Sequence, residues 1–259
     1  MKSDGRRKKE NMLKEKRKKT VEIRSLYKKY GKATEYAIED INITCFEGET
    51  VGLLGHNGAG KSTTIKCLTG FLPFEKGTIE ICGHNVVTDP IGAKKELGYV
   101  PDNRAMFEKM TGFEYINFIA DIHDTASEVR AERIEEMQSI LKLGEKINNL
   151  ISTYSHGMRQ KICIMSALIH RPKLWLLDEP LTGLDPQTAL ALRQYMDYYK
   201  KQGNTVLYSS HNLDAVEKTC DRAYIINHGK MVSEFTIEDF KRDNPGKSLE
   251  EVFVEQFYE

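Results

Sequence analysis

Residues 55–63 spell Gly55-His56-Asn57-Gly58-Ala59-Gly60-Lys61-Ser62-Thr63. The apolar, uncharged run Thr50–Leu54 precedes them and predicts a buried strand, and a helix is predicted to begin near Gly60 and to end near Gly70. Glycines let backbone N–H groups crowd around phosphate oxygens without a Cβ clash, and a helix N-terminus adds the positive end of its dipole. The strand, the glycine-rich turn and the helix together predict a phosphate-binding loop.

Two side chains of this loop have predicted chemical roles. We expect Lys61 to reach the β and γ phosphates of a nucleotide and the Ser62 hydroxyl to be a ligand of Mg²⁺. The pattern alone predicts only a nucleotide, since GTPases, small-molecule kinases and motor ATPases all share it.

A second candidate site follows the apolar run Leu174–Leu177, where Asp178, Glu179 and Pro180 come next. A strand that ends in two carboxylates places Asp178 to hold the hydration shell of Mg²⁺ and leaves Glu179 to act as general base toward water. Taken alone, the pair is equally well explained as a solvated strand end. With a phosphate-binding loop upstream, the catalytic interpretation is favoured.

The order of predicted elements indicates an α/β fold. From Leu174 onward strands and helices alternate, with strands at Thr205–Ser209 and Arg222–Asn227, which implies parallel strands with crossover helices. Between about Asp102 and Ser152 the periodicity is helical instead, with Ile134, Met137 and Leu141 on one face and Glu or Arg on the other. We therefore expect a helical lobe inserted into a sheet-based core.

Further motifs fall in a recognisable order. Tyr154-Ser155-His156-Gly157-Met158 stands before a helix with an apolar face, and from about Val21 to Gly229 the chain resembles the ABC ATPase family. The resemblance implies a P-loop core of mostly parallel sheet, an antiparallel β subdomain and an α-helical lobe. It also implies that Ser155 and Gly157 of one subunit close over ATP held by the phosphate loop of another. Ser155 is a good helix N-cap by itself.

The resemblance extends to three more positions. Gly183-Leu184-Asp185-Pro186 resembles the D-loop, which implies that Asp185 reaches across a dimer. His211 follows a predicted strand and resembles the histidine that contacts the γ-phosphate, although a lone histidine at a strand end is more often structural. Tyr30, 25 residues before Gly55, resembles the aromatic that stacks on adenine, with Tyr27 and Tyr36 as competitors.

One position departs from the family pattern. Asp102 stands where the family has a glutamine that touches Mg²⁺ or water and couples chemistry to the membrane partner. An aspartate is shorter and anionic, so two roles stay open: contact with the metal through water, or shaping of the loop. His156 and Met158 also differ from the common form of the signature, so only Ser155 and Gly157 carry that motif's expected contacts.

Charge is unevenly distributed along the chain. Residues 1–19 hold ten Lys or Arg and three acids, in a chain whose formal net charge is zero, which disfavours a globally basic nucleic-acid binder. We predict that this tail is solvated and partly disordered, with contact to anionic lipid headgroups as the alternative. The five cysteines show no CxxC spacing, which predicts buried, reduced thiols and a cytosolic location. The longest apolar run is too short to cross a bilayer, and the basic start lacks the apolar stretch of a secretory signal.

We therefore predict three segments: a basic tail at 1–19, an ABC ATPase domain at 20–235 with its helical lobe at about 102–170, and a short helical extension at 236–259. In that extension Leu249, Val252, Phe253 and Phe257 share one helix face, which we expect to pack on the chain's own core.

The expected function is that of an ATP-hydrolysing subunit, with Mg²⁺, at the cytoplasmic face of the cell membrane. It would dimerise around ATP, with a second copy or a paralogue, and drive a separate transmembrane permease. The Tyr-Ser-x-Gly-Met form of the signature favours export. The alternatives are a non-transport ABC ATPase acting on nucleic acid or ribosomes and an unrelated P-loop enzyme. Single-unit organisation and the 93 residues between Lys61 and Ser155 disfavour the first. The ordered series Ser155, Asp185 and His211 disfavours the second.

Overall fold

The computed structural model describes residues 17–31, 33–103, 105–181 and 184–257. The strands are β1 (Lys19–Lys28), β2 (Ile38–Phe46), β3 (Thr50–Leu54), β4 (Lys76–Ile81), β5 (His84–Asn85), β6 (Leu97–Val100), β7 (Leu174–Asp178), β8 (Thr205–Ser210), β9 (Arg222–Asn227) and β10 (Lys230–Thr236). The helices are α1 (Lys61–Leu68), α2 (Pro90–Lys95), α3 (Gly112–Ile122), α4 (Ser127–Leu141), α5 (His156–Leu168), α6 (Pro186–Lys201), α7 (Leu213–Thr219), α8 (Ile237–Asp243) and α9 (Leu249–Phe257).

The central sheet has six strands in the order β10-β9-β3-β8-β7-β6. All neighbours are parallel except β10, which runs antiparallel to β9. Every residue of β3, β7 and β8 is buried, as expected for parallel strands covered on both faces. The carboxyl ends of β3, β6, β7 and β8 meet at one edge, where ligands of open parallel sheets bind. The loops that carry the predicted site leave from this edge.

A second sheet has the order β2-β1-β4-β5 and is antiparallel. Buried and exposed side chains alternate along its strands. Val21 and Ile23 point inward, while Glu22 and Arg24 form an ion pair on the outside. Val21 and Ile23 share one core cluster with Val51 and Leu53 of β3 and with residues of α1. The fold class predicted from the sequence, a mostly parallel core with an antiparallel subdomain and a helical lobe, is confirmed.

The helical lobe packs against the opposite face of the central sheet through α5, which contacts β6, while α3 and α4 pack on α5. Met137 and Leu141 are buried and Ile134 is half-buried, as predicted from the periodicity. Arg133 belongs to the predicted Glu and Arg face of α4, yet it is buried. Arg133 pairs with Glu136 at 2.6 Å and donates to the carbonyl of Leu168 at 3.2 Å, so its charge is paired where α4 meets α5.

At the amino end, the folded part of the chain begins earlier than predicted. The tail was predicted to reach Lys19, but β1 begins there, and Arg17 lies over the ring of Phe46 at 5.3 Å and 3.5 Å from the Glu49 carboxylate. A cation–π contact and a buried carboxylate hold Arg17 on the core. The rest of the predicted tail, residues 1–16, lies outside the described residues.

At the carboxyl end, α8 and α9 lie within the segment predicted as a helical extension. Leu249 and Val252 are buried in the main core cluster, and Phe253 packs against it. The side chain of Phe257 lies outside the described part of the structure.

The cysteines agree with the prediction of buried thiols except at Cys82. Cys45, Cys67, Cys163 and Cys220 are buried and Cys82 is half-buried, and none of the five forms a disulfide. Within the described ranges, every helix is too short or too polar to cross a membrane.

Candidate functional site

The phosphate loop joins β3 to α1 through glycines whose backbone conformations are unfavourable for other residues. Gly55, Gly58 and Gly60 all have positive φ angles, of 156°, 83° and 114°. A Cβ at Gly55 would lie 2.3 Å from the carbonyl oxygen of Ile226, and one at Gly60 would lie 2.7 Å from the side chain of Ile38. The backbone therefore takes this shape only with glycine at these positions. At Gly58 a Cβ would meet nothing within 4 Å, so the loop is open on that side.

Three predicted catalytic side chains converge beside the loop. The Nζ of Lys61 donates to the carbonyl oxygens of Gly55 at 2.7 Å and His56 at 3.2 Å, and it lies 3.6 Å from Oε1 of Glu179. The other carboxylate oxygen of Glu179 lies 2.9 Å from Nδ1 of His211. Glu179 and His211 directly follow β7 and β8, and Lys61 begins α1 after the loop that leaves β3, so the three side chains come from connections of neighbouring strands.

Asp178 occupies the buried end of β7. Its Oδ1 accepts a 2.6 Å hydrogen bond from Ser209 on β8, and the same hydroxyl accepts from the backbone N–H of Glu179 at 3.1 Å. Burial raises the pKa of Asp178, the Ser209 hydrogen bond opposes this, and the carboxylates of Asp102 and Glu179 raise it further. The carboxylates of Asp102, Asp178 and Glu179 therefore concentrate negative charge at this edge of the sheet.

The carboxylate of Asp102 is close enough to contribute to that negative charge. It lies two residues beyond β6, which pairs with β7 in parallel so that Val100 aligns with Leu177. Asp102 therefore leaves β6 on the side of the carboxyl end of β7, where its charge acts on the carboxyl of Asp178. Asp102 is solvent-exposed, and its carboxylate also raises the pKa of Tyr99, after burial as the main cause.

Aromatic and histidine side chains border the loop. The hydroxyl of Tyr30 is 3.1 Å from Oγ1 of Thr63, and the Tyr30 side chain is otherwise exposed. The competing tyrosines, Tyr27 and Tyr36, pack edge to face on each other at 5.1 Å. His56 of the loop bonds through Nε2 to Asn227 at the end of β9, at 3.0 Å.

The remaining predicted residues form a second cluster. Ser155 caps α5 by accepting a hydrogen bond from the N–H of Met158 at 3.3 Å, as expected. Asp185 caps α6 by accepting from the N–H and hydroxyl of Thr188, which holds the pKa of Asp185 below its usual range. A Cβ at Gly157 would lie 3.4 Å from Oδ2 of Asp185, so the two motifs are neighbours. Within the described ranges, the hydrogen bonds and ion pairs of Ser155 and Asp185 do not extend to the phosphate loop. Gly183 of the predicted D-loop is outside those ranges.

Sequence reasoning missed two polar residues of this region. Ser209 joins Asp178 to the backbone of Glu179, and Gln160 of α5 donates from Nε2 to the carbonyl of Pro180 at 3.3 Å. Ser209 and Ser210 at the end of a buried strand, directly before His211, were a usable indication. Gln160 was not, because its burial depends on how α5 docks.

The residues present suit a magnesium–nucleotide complex. Mg²⁺ takes one or two protein oxygens together with substrate phosphates. The site offers the exposed hydroxyl of Ser62 and the carboxylate of Asp178. A closed metal site, with three or more His, Cys, Asp or Glu side chains around one point, is absent from the described residues. The hydroxyl of Ser62 and the carboxylate of Asp178 are oxygen donors that fit a cation arriving with phosphate.

The fold and this edge of the sheet define a P-loop nucleotide-binding protein. The ABC transporter family model matches residues 38–182, more than half of the chain, and the chain belongs to that family. It is an ATP-binding, ATP-hydrolysing subunit.

Similar proteins support this assignment over the alternatives. The linearmycin resistance ATP-binding protein LnrL of Bacillus subtilis is 34% identical over 219 residues, which cover 85% of this chain and 70% of that protein. The ABC-type transporter ATP-binding protein EcsA of the same organism is 31% identical, covering 84% of this chain and 89% of that protein. A solved ATP-binding subunit of an ABC transporter superimposes with a TM-score of 0.85 at 31% identity, covering 91% of this chain and 98% of that one. An unrelated P-loop enzyme is thereby excluded.

Proposed function

We propose that the chain hydrolyses ATP at a site completed by a second ATPase subunit, and that it thereby drives export through a separate permease. The observation that carries the proposal is the convergence of Lys61, Glu179 and His211 on the open side of the phosphate loop. These groups supply charge neutralisation, a base and a hydrogen-bonding imidazole, which phosphoryl transfer to water needs.

In this proposal each residue has one task. The backbone of residues 55–60 and the charge of Lys61 bind the phosphates, while Thr63 and Tyr30 lie where the adenine end of the nucleotide begins. Glu179 accepts the proton of the attacking water, and His211 holds the Glu179 carboxylate and contacts the terminal phosphate. In the structure the Lys61 ammonium pairs with the Glu179 carboxylate. A bound phosphate would compete for Lys61 and separate the two groups.

Ser62 and Asp178 would hold Mg²⁺, directly or through water, with Asp102 adding negative charge at the same edge. The cation would neutralise charge on the phosphates. Ser209 keeps the Asp178 carboxylate oriented by its 2.6 Å hydrogen bond.

A companion subunit would supply the other half of the pocket. Ser155 and Gly157 stand at the N-terminus of α5, where backbone N–H groups and the helix dipole favour an anion. Because these residues make no contact with their own phosphate loop among the described hydrogen bonds and ion pairs, we infer that they serve the phosphate of a partner, alongside Asp185. ATP then stabilises the closed dimer because it touches both halves only in that state.

A groove between α2, α3 and β6 supports docking to a permease. Its volume is about 490 Å³, and the side chains of Phe71, Ile91 and Ile122 at its rim are 74%, 70% and 61% exposed. Exposed apolar side chains gathered in one concave surface are typical of a partner site. We propose that a short helix of the permease occupies this groove, next to the loop that carries Asp102, and holds the chain at the cytoplasmic face of the membrane.

The direction of transport is proposed from two observations. The Tyr-Ser-x-Gly-Met form of the signature resembles exporter-like systems, and the similar protein LnrL is named for resistance to linearmycin. Uptake of substrate into inside-out vesicles on addition of ATP is the expected behaviour of an exporter complex.

Co-purification tests the transport role of the groove. Ile122→Asp places a charge in the apolar groove, and we expect it to abolish recovery of the membrane protein that accompanies the wild-type chain. The matched control is Val232→Asp on β10, which is 43% exposed and lies outside the groove lining. Both variants are expected to keep ATP binding. Equal recovery of the membrane protein with Ile122→Asp and with wild type would refute the docking site.

A further inference from the structure

Gln160 is a fully buried polar residue in the second turn of α5. Its side chain is 0% exposed, and its amide nitrogen donates to the carbonyl oxygen of Pro180 at 3.3 Å. Among the described residues the Oε1 of Gln160 has no hydrogen-bond partner. A buried amide with an unsatisfied oxygen costs free energy, and the hydrogen bond from its nitrogen to Pro180 partly offsets that cost.

The bond lies next to the proposed general base. Pro180 is buried and directly follows Glu179, whose φ is 48°, in the left-handed region. A non-glycine residue there is strained and keeps that conformation only if its surroundings hold it. On one side the N–H of Glu179 donates to Ser209, and on the other side Gln160 holds the carbonyl of Pro180.

The same helix also contacts the far end of this loop. Asp185 lies beside Gly157 of α5, and its carboxylate opposes the fall in the pKa of Lys161 that burial causes. Pro180 and Asp185 thus both lie against the first two turns of α5.

From this geometry we infer that Gln160 is a positioning residue for Glu179: its hydrogen bond to Pro180 fixes the strained backbone that aims the carboxylate between Lys61 and His211. This inference rests on the proposed role of Glu179 as general base. It also means that the helix that begins at Ser155 is tied to the backbone beside that base.

The test replaces Gln160 with an apolar residue of similar length. In Gln160→Met the packing volume is kept but the donor to Pro180 is lost. We expect kcat for ATP hydrolysis to fall about five- to tenfold, the loss that removal of one neutral hydrogen bond produces when it acts only on the chemical step. The affinity for ATP, from equilibrium titration with a fluorescent analogue, is expected to change by less than about twofold, because Gln160 does not touch the nucleotide loop.

Thr205→Val is the matched control. Thr205 is equally buried and donates to the carbonyl of Phe46 at 2.9 Å, but it begins β8 at the end away from the site. It is expected to lower thermal stability while leaving kcat per nucleotide-binding molecule unchanged. Normalising kcat to the binding-competent fraction separates positioning from unfolding, and Gln160→Leu repeats the test if the methionine variant folds poorly.

Unchanged kcat in a nucleotide-binding Gln160 variant overturns the inference. So does an increase in KM at constant kcat, or a loss of kcat that Thr205→Val reproduces. Absence of ATPase activity in the wild-type dimer would instead refute the proposed function, so the two failures are distinguishable.

Discussion

At the residue scale, Glu179 is the carboxylate on which the site converges. Its two oxygens face Lys61 and His211, its N–H is held by Ser209, and its side chain is 15% exposed. These contacts aim the carboxylate toward the space beside the phosphate loop without closing that space. A base that is oriented but still reachable by water is what hydrolysis requires.

Removing the proposed base, Glu179, is expected to separate ATP binding from hydrolysis. We expect Glu179→Gln to keep ATP binding and to lower turnover on the order of a hundredfold or more, since a general base contributes about that much. Lys61→Ala is the companion variant, and we expect it to lose nucleotide binding in calorimetry, because the principal positive charge of the loop is gone. Turnover of Glu179→Gln within a few-fold of wild type would remove Glu179 from this role.

At the scale of elements, the sequence predicts best those elements whose signature is local. The strands β3, β7 and β8 are short apolar runs that end in glycine or polar residues, and their predicted bounds agree with the structure to within a residue. The phosphate loop and the cap Ser155 follow from residue type and position alone, whereas the capping role of Asp185 was not predicted.

Contacts between elements were harder to predict. The burial of Arg133 and Gln160 depends on how α4 and α5 dock, and the attachment of Arg17 depends on the end of β2. A long polar side chain has the same periodicity whether its partner is water or a carbonyl from a distant segment, so local pattern cannot distinguish the two.

The pair His123 and His170 gives an element-scale prediction. The rings stack at 3.6 Å with planes 9° apart, where α3 meets the end of α5. The pKa of His170 is lowered to about 3, chiefly by burial and in smaller part by the neighbouring His123 and the charge of Arg133. The unfolded chain therefore takes up a proton as the pH falls through the ordinary histidine range, whereas the folded chain does not, so stability declines below that range.

His170→Phe keeps a stacking ring but removes this titration. We expect its free energy of unfolding to fall less than that of wild type between pH 7.5 and pH 5, by on the order of 1–2 kcal/mol. Urea denaturation at the two pH values measures the difference. Identical pH dependence in the two proteins would show that His170 is not kept neutral by burial.

At the scale of the whole molecule, the candidate residues form two separate groups. Lys61, Asp178, Glu179 and His211 lie at the carboxyl edge of the central sheet, whereas Ser155, Gly157 and Asp185 lie where α5 meets α6. The Gln160 bond joins the helix of the second group to the loop of the first within one chain. Two chains facing each other would bring the second group of each to the first group of the other.

Sedimentation of Glu179→Gln with and without ATP and Mg²⁺ tests this shared site most directly. We predict a monomer without nucleotide and a dimer with ATP. Adding Ser155→Arg should keep ATP bound but prevent the dimer, because in the proposed site Ser155 serves only the partner's nucleotide. A Glu179→Gln protein that binds ATP and remains a monomer, or a Ser155→Arg change that abolishes ATP binding to the monomer, would contradict the account.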